Sequence, residues 1–162
     1  MKIDLLFPVY NESEVIIAFC RELEAALELF LKSEEIGIFP EIDLEIIFID
    51  DGSTDDSVEL LSNFNFSLPV RIISLSRNFG HQPAVWAGIE NSRSDSHVIV
   101  MDCDLQDPPS EISNIILEFQ KGNEIVLMRR KSSQDKWAKK ASANLFYLLQ
   151  RKIANEEVIT NV

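Results

Sequence analysis

Five short runs of Ile, Val, Leu and Phe punctuate the chain, at residues 3–7, 44–49, 70–75, 97–101 and 124–128. Each has the length of a strand and little polar alternation, the pattern of strands covered on both faces of a parallel sheet. Between them the period changes. Ile16, Phe19, Leu23, Leu27 and Phe30 recur three or four residues apart, which predicts one apolar helix face over residues 13–32. Weaker helical patterns cover residues 55–64, 83–91, 110–120 and 135–154, with Pro83 suited to a first turn and Ser110 to an N-cap. Trp86 sits in the apolar stretch 84–89 and reads as core. The order βαβαβαβαβα predicts an α/β domain, with a mainly parallel Rossmann-like sheet, right-handed crossovers and helices on both faces. Residues 33–43 are the one linker-like stretch, and no repeat divides the chain, so residues 1–162 read as a single domain.

Ligands of such folds sit beyond the carboxyl ends of the strands, and there the polar residues collect. The first strand runs into Pro8-Val9-Tyr10-Asn11-Glu12, the second into Asp50-Asp51-Gly52-Ser53-Thr54-Asp55, the third into Ser76-Arg77-Asn78-Phe79-Gly80 and the fourth into Asp102-Cys103-Asp104-Leu105-Gln106. Asp50 and Asp51 would repel each other unless a cation or hydrogen-bond donors offset them; a turn with a helix cap is the plainer reading. Asp102 and Asp104 alternate at a strand end, so both carboxylates can converge on one hard cation, Mg2+ or Mn2+, with Gln106 adding a neutral oxygen. The plainer alternative is a solvated acidic turn before the helix that Pro108-Pro109 introduces. Arg77 suits a phosphate or a base edge, with a surface salt bridge as its plainer role. His81 and His97 lack a second histidine at ligand spacing.

Charge narrows the partners. The net formal charge of −12 over 162 residues argues against nucleic acid. Residues 129–152 are the exception, with eight basic residues against one acid, and with Trp137, Phe146, Tyr147 and Leu148 they predict an amphipathic helix. Such a helix either touches an anionic membrane surface or packs on the sheet with its lysines solvated. No apolar run approaches a membrane span and the N-terminus turns polar too early for a signal peptide, which points to the cytoplasm, at most at the inner face of the membrane. Cys20 and Cys103 give neither a disulfide framework nor metal spacing and read as free thiols.

Together FPVYNE, IDDGSTDDS, SLSRNFGHQPAVWAGI and VIVMDCDLQDPP resemble the successive motifs of family 2 glycosyltransferases of GT-A fold, in the branch that transfers sugars to polyprenyl phosphates. The resemblance implies metal-dependent, inverting transfer from a nucleoside-diphosphate sugar, UDP-linked before GDP-linked, to a lipid-linked acceptor in envelope polysaccharide or glycan synthesis. It further implies that Pro8, Tyr10 and Glu12 line the nucleotide pocket, Asp50 meets the nucleobase, and Arg77 lies near the nucleotide. Asp102 is then expected near ribose and metal, Asp104 as principal metal ligand, Gln106 as completing the metal site, and Arg130, or Arg129 beside it, at the phosphates. Two family features are missing, a glycine before that arginine and a second arginine after it. The resemblance also places the general base in an aspartate-bearing segment after Val162, so the chain reads as truncated, and an inactive donor-binding fragment is one alternative. A phosphohydrolase with a DxD motif is another, but such enzymes carry it after the first strand. A receiver-like domain is a third, but its acids too belong to the first strand.

Overall fold

The computed structural model describes residues 1–33 and 42–129, of which those up to Gly122 belong to one compact unit and 123–129 to a second. The first unit runs β1 (Lys2–Val9), α1 (Ile16–Leu31), β2 (Asp43–Asp50), α2 (Ser57–Asn63), β3 (Val70–Ser74), α3 (His81–Glu90), β4 (His97–Val100) and α4 (Glu111–Gln120). The four strands form one wholly parallel sheet in the order β3-β2-β1-β4.

Residues alternate between the two faces of the sheet. Leu6, Ile47 and Ile49 point to one side and pack on Ala84 of α3. Phe7 and Phe48 point to the other, where Phe7 meets Phe19 of α1 edge to face at 5.0 Å between ring centroids. His97, in register with Ile3 on that second side, lies 4.8 Å from the Phe119 ring of α4. Both faces are therefore covered, which is why the centres of β1 and β2 are apolar on both sides. The α1 face is the predicted one, with Ile16, Phe19, Leu23, Leu27 and Phe30 buried.

Four expectations change. Helix α1 begins at Ile16 rather than Ser13, because the Ser13 amide donates to Asp55 Oδ2 and residues 13–15 form a turn. Ser110 occupies the N-cap of α4 without a capping bond, and its carbonyl accepts from the Ser113 hydroxyl instead. Trp86 is 62 % exposed, not core: α3 buries Ala84 and Gly88, and a residue midway between them faces outward. Residues 124–128 form no strand among the described residues; an apolar run supplies side chains for a strand but no partner for its backbone. The predicted helix at residues 135–154 lies outside the described residues.

The chain winds outward from β1 through β2 to β3, then crosses by way of α3 to β4 on the far side of β1. The strand order reverses between β1 and β4, and at such a switch point the loops diverge and leave a crevice at the carboxyl ends.

Candidate functional site

A cavity of about 250 Å³ opens at that switch point. Pro8, Val9, Tyr10 and Glu12 line it from the end of β1, and Asp102, Cys103 and Asp104 from the end of β4. Asp51 reaches it from β2, and Asn78, Gly80 and His81 from the approach to α3.

Backbone bonds continue the ladder into these loops: Asp51 N donates to Val9 O at 2.8 Å, Leu75 N to Asp50 O at 2.8 Å and Met101 N to Leu6 O at 3.1 Å. The first two loops are then tied together by side chains. Asn11 N donates to Ser53 Oγ at 3.0 Å, Thr54 N to Asn11 Oδ1 at 2.8 Å, and Glu12 N to Ser57 Oγ at 2.8 Å. Asn11 adopts φ 54°, a left-handed turn that asparagine tolerates and that these bonds hold between the two cavity-lining residues Tyr10 and Glu12.

Asp55 anchors the same junction through the amides of Ser13 and Ser57. Burial opposes ionisation of its carboxyl, but hydrogen bonds from Ser57 and Ser13 outweigh it and bring the pKa from 3.8 down to about 2. With the folded-state value depressed, the stabilisation is complete above pH 3.8 and is lost as pH falls through about 2. Urea midpoints of the wild type are expected to drop across that interval, and those of Asp55→Asn to drop less; parallel curves would refute the assignment.

Gly52 lies where two loops touch. Its φ is +71°, and a Cβ there would stand 2.4 Å from the Arg77 carbonyl carbon and 2.7 Å from Asn78 N. Neither backbone conformation nor space admits a side chain, so Gly52→Ala is expected to cost about 2 kcal/mol. A shift in the urea midpoint at constant m measures it.

At the end of β4 the period of two persists past the strand. Cys103 is 2 % exposed at the cavity floor, and its thiol donates to Pro8 O at 3.3 Å, while the flanking Asp102 and Asp104 line the cavity partly exposed. Burial, then the charges of Glu12, Asp102 and Asp104, push that thiol up to about 12, so it offers no thiolate ligand. Both cysteines are free and buried. The chain then breaks direction at Leu105, φ 61°, with Gln106 N donating to Asp104 Oδ1 at 2.9 Å.

The acids crowd one another. The Glu12 carboxyl is raised above its ordinary value by burial first, then by Asp104, Asp55 and Asp102. Hard oxygen donors under mutual repulsion suit a divalent cation, and Mg2+ in particular needs only one or two carboxylates beside waters and phosphate oxygens. No group of three His, Cys, Asp or Glu able to hold a metal occurs among the described residues; Asp102 and Asp104 are the two carboxylates that β4 brings to the cavity.

Pro8, Tyr10, Glu12, Asp102 and Asp104 thus come together as the sequence suggests. Asp50 does not line the cavity: it is 4 % exposed and accepts Ser53 N at 2.9 Å. Arg77 stacks on the Phe79 ring at 4.2 Å, outside the lining, and the exposed Gln106 is likewise outside it. Arg130 and residues 131–152 lie outside the described residues. His81, which has no second histidine at ligand spacing in the sequence, lines the cavity with its Nδ1 3.8 Å from Asp102 Oδ1. Asn78 and Asp51 were masked by neighbours that read more strongly. No helix among the described residues is long and apolar enough to cross a membrane.

The chain is similar to known proteins. The family described as Glycosyl transferase family 2 matches residues 4–161. The chain is 38 % identical over 164 residues to the prophage bactoprenol glucosyl transferase homolog of Escherichia coli (strain K12), covering 100 % of this chain and 50 % of that one. It is 34 % identical over 146 residues to the undecaprenyl-phosphate 4-deoxy-4-formamido-L-arabinose transferase of Enterobacter sp. (strain 638), covering 89 % and 41 %. The chain thus spans about half the length of the curated relatives it matches. Among solved structures, S. aureus TarS 1-349 in complex with UDP superposes with a TM-score of 0.58 at 18 % identity, covering 84 % of this chain and 37 % of that one, a likeness of GT-A-type fold.

Proposed function

The chain belongs to glycosyl transferase family 2, and from that premise we propose that its cavity binds the nucleoside diphosphate of a sugar donor for inverting transfer to a polyprenyl phosphate. The observation that carries the proposal is the meeting of Pro8, Tyr10, Glu12, Asp102 and Asp104 around one cavity at the switch point of the sheet. UDP-linked donors are the first choice and GDP-linked the second. The names of the relatives, bactoprenol and undecaprenyl-phosphate transferases, support a lipid-linked acceptor and envelope glycan synthesis.

In this reading Tyr10 and Pro8 flank the nucleoside, while Asp102 and Asp104, with Gln106, hold Mg2+ or Mn2+ against the diphosphate. The bound cation would neutralise the diphosphate and stabilise the charge that develops as it leaves. Asp50, Arg77 and Arg130 remain proposed donor contacts, and residues 129–152 a proposed peripheral membrane contact. Transfer needs the acceptor oxygen in line with the anomeric carbon, opposite the leaving diphosphate. A phosphate acceptor is already ionised and requires little help from a base. Calorimetric titration with UDP, GDP and their sugars, in Mn2+ and again in chelator, tests the reading. Tighter binding with metal is expected; equal affinity in both would sink the metal-assisted site.

A further inference from the structure

The loop that delivers Asn78, Gly80 and His81 to the cavity has little of its own to hold it. Ser76, Arg77, Asn78 and Phe79 are all exposed, and Gly80, φ 99° and ψ 162°, has a backbone conformation that side-chain-bearing residues rarely adopt. The N-cap of α3 makes no side-chain capping bond. Two consecutive amides of this loop nevertheless converge on one group: Phe79 N donates to Asp51 Oδ1 at 2.7 Å and Gly80 N to Asp51 Oδ2 at 2.8 Å. Asp51 is itself 3 % exposed and fixed at the end of β2 by the bond from its amide to Val9 O. Consecutive amides of this kind form a concavity that accepts an anion, and the protein fills it with its own carboxylate. Next to it, Gly52 lets the β2 loop press on the Arg77–Asn78 backbone.

We infer that Asp51 is a positioning residue: by clamping the Phe79 and Gly80 amides it sets Asn78, His81 and the first turn of α3 against the cavity before any donor arrives. Both of its oxygens serve the loop, so its part in recognition is to preorganise neighbours. The inference rests on the donor-binding reading for its consequence, though not for the clamp itself. Charge-assisted bonds to a buried carboxylate are the stronger kind, and Asp51→Asn, which keeps the size but replaces one acceptor oxygen with a donor, should break at least one.

The test compares wild type, Asp51→Asn, Gly80→Ala and, as a destabilised control away from the cavity, Ile115→Val. Amide exchange at Phe79 and Gly80 is expected to accelerate roughly ten-fold or more in Asp51→Asn, with their proton resonances moving upfield, while strand amides of β1 and β2 keep their protection. UDP affinity in Mn2+ should weaken by about ten-fold in Asp51→Asn and in Gly80→Ala, measured well below their melting temperatures, and stay unchanged in Ile115→Val. Gly80→Ala reaches the same bond from the loop side and decides the matter if Asp51→Asn fails to fold. Unchanged exchange at the two amides, tighter UDP binding through an opened concavity, or loosened amides with undiminished UDP affinity would each overturn the inference. Failure of the wild type to bind any nucleoside diphosphate would count against the donor-binding reading, leaving the clamp to stand or fall on exchange alone.

Discussion

Asp104→Asn is expected to weaken UDP binding in Mn2+ by roughly 100-fold, about 2.8 kcal/mol, and to leave binding in chelator unchanged. Asparagine preserves the shape of the side chain and an oxygen to accept the Gln106 amide, which Asp104 holds at 2.9 Å, so the turn at Leu105 survives. What it removes is one of two negative charges at the proposed cation site. Asp104 is partly exposed, so the melting temperature should barely move. The neighbouring Cys103→Ala separates charge from packing: it removes the 3.3 Å bond to Pro8 O without touching a ligand oxygen, and is expected to lower stability more than affinity. Equal losses in metal and in chelator for Asp104→Asn would mean that the carboxylate meets the nucleotide directly, and the cation assignment would fail.

The lining of the cavity was legible in part because it is built from the properties a single sequence displays best. Apolar runs indicate where strands end, and the stretch that follows β4 brings Asp102 and Asp104 to the cavity partly exposed, with Cys103 buried between them. The problem posed by adjacent Asp50 and Asp51 was visible too, and its solution is hydrogen-bond donors: Ser53 N for one, Phe79 N and Gly80 N for the other. Which of the two would face the cavity was not visible, because it depends on how the β3–α3 loop folds back, a contact 28 residues away in sequence. Residues 124–128 were misread for a related reason, since strand formation needs a backbone partner that no local pattern specifies. Trp86 was misjudged because α3 approaches the sheet through Ala84 and Gly88, small residues that carry almost no hydrophobic signal.

The amino ends of the strands hold a second constellation that sequence reading passed over, and Arg93→Ala there is expected to cost about 3–5 kcal/mol. Asp4 is wholly buried within β1. Its Oδ1 accepts Arg93 Nε at 2.7 Å, while its Oδ2 accepts Arg93 N at 2.7 Å and Ser96 Oγ at 2.8 Å. The same guanidinium donates to Ile3 O and Asp43 O at 3.1 Å and to Asp43 Oδ2 at 2.7 Å. Burial works against its charge, but Asp4, Asp43 and Glu45 outweigh that and raise its pKa. An acid inside an apolar run is itself a sequence signal, since a buried charge requires a partner; the partner, 89 residues on in a polar turn, is not. Alanine at 93 leaves the carboxylate buried beside its remaining serine and amide donors, and the melting temperature should fall by about 10 °C. Adding Asp4→Leu to Arg93→Ala should recover part of the loss, because it removes the stranded charge, although the carbonyls of Ile3 and Asp43 still lack their donor. A loss below about 1 kcal/mol would show the pair to be hydrated and weak. UDP affinity of the folded variant should match the wild type, because this network ties the strands together at the end of the sheet opposite the cavity.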